Sequence, residues 1–217
     1  MASLRLYTYF RSSAAYRVRI ALNLKGLDYT AVPVHLLRGG GEQYSAAFAE
    51  LSPARLVPVL EDGAATLTQS LAIIEYLEET HPTPLLLPTG AAARARVRSL
   101  ALSIACDIHP LNNLRVLRFL KSEFELNEAQ RESWSRHWIR QGLEALERTL
   151  AGSAHTGSYC HGESPSLADC CLVPQIANAQ RLQCPLDAYP TVMRIHEACL
   201  CLPAFARAAP AAQLDAE

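Results

Sequence analysis

At 217 residues the chain has room for one large or two modest domains, and with half its residues hydrophobic it can bury a sizeable core. A formal net charge of −1, from 20 basic and 21 acidic residues without a basic run, excludes the broad positive field that gathers nucleic acid. No apolar stretch reaches the roughly 18 residues of a membrane span, and Met-Ala-Ser-Leu-Arg lacks the apolar core of a secretory leader, so a cytoplasmic protein without a membrane partner is expected.

Leu4–Phe10 reads as a first strand, and Ser13–Lys25 as a helix, with Ala14, Val18, Ala21, Leu22 and Lys25 on one face. Gly26 ends it. Tyr29–Leu36 alternates as a second strand, followed by the flexible Leu37-Arg38-Gly39-Gly40-Gly41 and a short helix from Tyr44 to Leu51. Val57–Leu60 and Ala65–Leu67 form a hairpin about Glu61-Asp62-Gly63, and Leu71–Glu79 is a helix with Ile73, Ile74 and Leu77 inward. The order is βαβαββα. His81-Pro82-Thr83-Pro84 then breaks the pattern. Residues 1–82 are expected to form one domain, 83–90 a linker, and 91–217 an all-helical domain.

In that second part, Arg94–Leu120 reads as one long helix bent at Pro110, and Asn127–Leu150 as another. Gly152–Gly162 is a loop. Ser166-x-x-Asp169 is a capping box ahead of the apolar run Cys170–Ile176, and its role is structural. Pro190–Leu200 is a further helix, and Ala208–Glu217 reads as a loose tail. The seven cysteines form no C-x-x-C pair, so mostly packed, reduced thiols and no metal are expected.

The residues with most chemical content stand where strands turn into helices. Ser12 and Ser13 open the first helix. Either can cap it, and the same N–H groups and dipole also suit an anion. Gln69-Ser70 stands at a second such corner.

The run Ser12-Ser13-x-x-x-Arg17-Val18-Arg19-Ile20-Ala21-Leu22, with Val57-Pro58 before a strand and Gln69-Ser70-Leu71-Ala72-Ile73-Ile74-Glu75 opening a helix, resembles the zeta-class glutathione transferases over nearly the whole chain. Within that class it is similar to the bacterial maleylacetoacetate isomerases, with the maleylpyruvate isomerases as near relatives. The resemblance implies an α/β plus all-α fold: an N-terminal thioredoxin-like domain, then an all-helical glutathione transferase domain. It implies glutathione as coenzyme and a small dicarboxylic diketo acid as substrate. The reaction would be cis–trans isomerisation by thiolate addition, bond rotation and elimination, in aromatic amino-acid catabolism such as tyrosine breakdown. A general transferase or peroxidase and a non-catalytic glutathione-binding protein are the competing readings.

By the same resemblance, Ser12 donates to the thiolate, with Ser13 as the alternative donor and Arg11 beside them. A free thiol has a pKa of about 8.5, so stabilising its anion is the essential task. Gln43, Val57, Gln69, Ser70, His109 and Asn113 are implied to hold glutathione, with the bond from Val57 to cis-Pro58. His109 is read as binding rather than titrating, because the family also places Gln there. Arg11, Arg115 and Arg181 are implied to hold the substrate. Ala14 stands where the class usually has Cys, so that thiol is read as dispensable. Tyr7 and Tyr9 are set aside as thiolate donors in favour of the serines. A homodimer is implied, the first domain of one chain facing the second of the other.

Overall fold

The computed structural model describes residues 4–217; Met1–Ser3, part of the N-terminal reading above, lie outside the described residues. Two compact units result. One contains the chain up to Leu86 together with Cys201–Glu217, and the other is Leu87–Leu200.

The first unit runs β1 (Leu4–Thr8), α1 (Ser13–Leu24), β2 (Tyr29–Pro33), α2 (Ala46–Leu51), β3 (Val59–Asp62), β4 (Ala65–Thr68) and α3 (Ser70–Thr80). This is the expected βαβαββα order. The sheet order is β2-β1-β3-β4, with β1 parallel to β2 and antiparallel to β3. A parallel pair needs a crossover, and α1 supplies it. Ser12 is thereby placed at the start of α1, just beyond the end of the inner strand β1.

Helix α1 is buried on nearly every side. Ala15, Tyr16, Val18, Ile20, Ala21 and Leu22 are buried, and so are Arg17 and Arg19. Its neighbours explain this: α3 packs against it, and so does α9 (Pro203–Ala208). At its foot, Lys25 Nζ donates to Glu78 (2.7 Å), His81 O (2.7 Å) and Pro84 O (2.9 Å). The Glu78 carboxylate in turn accepts from Leu86 N at 3.0 Å. This buried ion pair fastens the proline-rich break to the first unit.

The tail differs from its reading as loose. Ala208 is fully buried and its carbonyl accepts from Arg19 Nε (2.9 Å), and Asp215 accepts from Phe10 N (3.0 Å). Alanines and prolines carry little side-chain signal, but their carbonyls accept hydrogen bonds from α1, and that is what holds the segment.

The second unit contains α4 (Ala91–Leu102), α5 (Leu114–Glu123), α6 (Glu128–Ala151), α7 (Leu167–Arg181) and α8 (Pro190–Leu200). The single long helix expected over Arg94–Leu120 is instead two. The chain widens into a π-type segment at Ser103–Ile108, tightens into a 3-10 turn at His109–Asn112, and restarts at Leu114 with Asn113 as cap. Pro110 has no N–H to continue the ladder. The wide turn also packs on α6, where a Cβ at Gly142 would collide with the Ile108 side chain. Glycine at 142 is therefore what lets the turn before His109 approach α6. Among the described residues no helix is long and apolar enough to cross a membrane.

Candidate active site

The corner at Ser12 is built by its own backbone. Ser12 N donates to Tyr9 O (2.9 Å), and Ser12 O accepts from Tyr16 N (2.8 Å), the first bond of α1. The Ser12 side chain caps the helix by accepting from Ala15 N (3.2 Å). An oxygen that accepts this bond keeps its own proton to give. No acidic residue stands in the first turn of α1, so the positive end of the helix is not neutralised from within. Ser12 and Ser13 are both half-buried, and Arg11 is exposed with its guanidinium 5.0 Å from the Phe10 ring centre. The arrangement offers a hydroxyl proton and helix N–H groups to an anion. Tyr7 is engaged elsewhere: its hydroxyl donates to Glu61 (3.1 Å), and burial, followed by that bond, raises its pKa.

The second corner, at α3, is built differently. Gln69 is exposed, adopts φ 68°, and makes no side-chain cap, so the first-turn N–H groups are not taken by it. Ser70 is buried and accepts from Arg17 Nη1 at 3.2 Å. Arg17 is 2% exposed, and its Nε and Nη2 have no protein partner. Gln43 is also buried: Nε2 donates to Leu36 O (3.3 Å), whereas Oε1 has no protein partner. Gly41, at φ 119°, admits that amide, since a Cβ would lie 2.6 Å from it. Val57 is buried beside β3 and is joined to Pro58 by a cis bond. Buried polar atoms without partners cost free energy. Guanidinium and helix N–H donors suit a carboxylate, and the Gln43 oxygen suits an N–H, so these residues fit a peptide such as glutathione.

Arg17 was not singled out from the sequence. The available signal was two arginines, Arg17 and Arg19, in the middle of a helix with few other polar residues.

The remaining predicted residues belong to the second unit. His109 is half-buried at the start of the 3-10 turn. Asn113 spends its side-chain oxygen on Arg115 N (3.1 Å), and Arg115 is exposed. Arg181 Nη2 donates to Asn178 Oδ1 (2.7 Å), Asn178 Nδ2 donates to Asn112 Oδ1 (3.2 Å), and Asn112 Nδ2 donates to Ile108 O (2.8 Å). This relay aims Arg181 from α7 and ties it to the turn that carries His109 and Asn113. Asn112 and Asn178 are not among the residues that the sequence singles out; the i, i+3 spacing of Asn178 and Arg181 is the readable clue.

Residues 6–85 match the family described as Glutathione S-transferase, N-terminal domain. Over 216 residues the sequence is 53% identical to a probable maleylacetoacetate isomerase of Vibrio cholerae, with all of both chains covered. The fold is similar, at TM-score 0.95 and 49% identity, to a maleyl pyruvate isomerase described as a bacterial glutathione S-transferase of zeta class and solved in holo form; 98% of this chain and 100% of that one are covered. A maleylacetoacetate isomerase from Methylobacterium extorquens AM1, solved with malonate and glutathione, also superposes at TM-score 0.95, with 44% identity and 98% and 99% coverage. With relatives this similar from end to end, the chain belongs to the zeta-class glutathione transferases, in their group of maleylacetoacetate and maleylpyruvate isomerases.

Proposed function

We propose that this protein is a glutathione-dependent cis–trans isomerase that converts maleylacetoacetate to fumarylacetoacetate. The observation that carries the reading is identity over the full length to a relative named for that reaction. Bound glutathione supplies the sulfur nucleophile that adds to the conjugated alkene and leaves after the bond has rotated.

The chain's own residues bind, orient and stabilise. Ser12 donates a hydrogen bond from its hydroxyl to the sulfur anion, and the start of α1 adds its N–H groups. Ser13 is the alternative donor. Gln69, Ser70 and the start of α3, with Arg17 behind Ser70, take the γ-glutamyl carboxylate. Gln43 and the Val57 backbone hold the rest of the peptide, with His109 and Asn113 as further binding residues. Arg11, Arg115 and Arg181 take the carboxylates of a dianionic substrate and the negative charge that develops on it. Ala14 supports a mechanism in which no enzyme thiol takes part.

Maleylpyruvate is the second candidate substrate, supported by the holo relative named for it. We place the protein in the cytoplasm, as a homodimer, in the breakdown of aromatic amino acids such as tyrosine. The test measures kcat/KM for both maleyl substrates with glutathione at substoichiometric concentration. Many turnovers per glutathione, with the thiol recovered unchanged, are expected. Consumption of glutathione on halo acids or hydroperoxides without isomerisation would instead make the protein a conjugating transferase or peroxidase. Retention of glutathione with no turnover at all would make it a binding module. Light scattering on the purified protein tests the dimer.

A further inference from the structure

The turn that delivers Ser12 is held by groups from far along the chain. Arg19 is fully buried; its Nη1 donates to Thr8 Oγ1 (2.9 Å) and Tyr9 O (3.3 Å), and its Nη2 to Phe10 O (3.0 Å). Its Nε donates to Ala208 O (2.9 Å), in the C-terminal segment. Burial lowers its pKa to about 10, so the guanidinium stays cationic at neutral pH. From the same segment, Asp215 Oδ2 accepts from Phe10 N at 3.0 Å. Both backbone groups of Phe10, two residues ahead of Ser12, are thus bonded to charged side chains.

The end of the chain is anchored as well. Glu217 Oε1 accepts from Arg38 Nη2 (2.8 Å) and lies 3.2 Å from His35 Nε2. His35 Nδ1 accepts from Leu37 N (3.2 Å) and Arg38 N (2.8 Å), which fixes the ring beside Arg38 and Glu217. Ala208, Asp215 and Glu217 are therefore three successive attachment points.

We infer that the C-terminal segment Ala208–Glu217 is a strap that sets the position of the nucleophile-holding turn, with Asp215 as a positioning residue for Ser12. The inference rests on the role of Ser12 proposed above. Its physical basis is a lever of short reach. Tyr9 O accepts both Ser12 N and Arg19 Nη1, so the residue before Phe10 and the serine share one anchor. A charge-assisted bond is roughly twice as strong as a neutral one, and Asp215 accepts one from the peptide N–H of Phe10, between Tyr9 and Arg11. A hydroxyl that must meet a sulfur anion tolerates little displacement.

The experiment compares Asp215→Ala, Asp215→Asn, a chain ending at Gln213, and Ser12→Ala. Each is measured for kcat and KM, for the thiol pKa of bound glutathione by ultraviolet absorbance, for amide exchange at Phe10–Ser12, and for its urea midpoint. Asp215→Ala and the shortened chain are expected to exchange faster at these amides. They should lose about tenfold in kcat, because small misplacements at a reacting centre are costly, and they should raise the thiol pKa with KM nearly constant. Asp215→Asn keeps an acceptor oxygen and should restore most of the rate. Unchanged exchange, or faster exchange with unchanged kcat and thiol pKa, overturns the strap, as does a shift in the urea midpoint that accounts for the whole loss of rate. If Ser12→Ala cripples the enzyme while the Asp215 variants do not, the strap alone is wrong. If Ser12→Ala leaves rate and thiol pKa unchanged, the Ser12 reading fails, and the positioning role falls with it.

Discussion

Ser12 and Ser166 are the same residue type at the same place, the start of a helix, and their surroundings are opposite. Ser166 is closed. Its N–H and hydroxyl both donate to Asp169 Oδ2, at 2.8 and 2.7 Å, and the other oxygen of that carboxylate accepts from Cys160 N at 2.9 Å. Asp169 is fully buried, and burial raises its pKa against the lowering effect of these bonds. Ser12 is open: it accepts one N–H, faces no acid in its own helix, and is half-buried. A helix start that supplies its own anion is a structural joint, whereas one that leaves the anion out can bind a foreign one.

The contrast is sharpest in two truncations. Ser12→Ala should lower kcat for isomerisation by about 10²–10³-fold, as removal of a single donor to a developing anion does. Its stability should fall by only about 1 kcal/mol, the value of a cap. Steady-state kinetics beside urea unfolding reads both, and comparable losses in each would erase the distinction. Asp169→Ala should do the reverse. It strands Cys160 N and both donors of Ser166, and a buried unsatisfied group costs about 1–3 kcal/mol. A loss of about 3 kcal/mol or more in unfolding free energy is expected, with kcat of the folded fraction intact. A fall in kcat at unchanged stability would place Asp169 in the chemistry. Ser166→Ala, which leaves the carboxylate its backbone partners, should cost about 1 kcal/mol in the same titration.

A smaller effect comes from α8. His196 is 4% exposed, and burial pulls its pKa below 6.5. The folded state prefers the neutral ring, so this contribution to stability is present above the unfolded pKa and is lost as pH falls through the lowered one. Melting temperature should therefore drop between about pH 7 and about pH 5, and less so in His196→Leu. An equal drop in that variant would assign the pH dependence to other groups.

Much of the fold was readable because the signals are local. The βαβαββα order, the start of α1 at Ser13 and the box at Ser166–Asp169 follow from periodicity, caps and prolines within a turn or two of each element. The serine corner could be found in the same way, because helix starts announce themselves. Burial of Arg17, Arg19 and Lys25 could not be read locally. A charge on a helix looks solvated until other elements cover it, and here α3 and α9 do so, the latter through a bond between residues 189 apart in sequence. The break at Ser103–Asn112 depends on α6 presenting Gly142 to Ile108, and the tail's attachment depends on carbonyls that no side-chain pattern marks. The residues alone determined where helices and strands begin. Only the tertiary structure decided which charges of α1 are buried and what holds the turn before Ser12, because their partners come from α3 and the C-terminal segment, far along the chain.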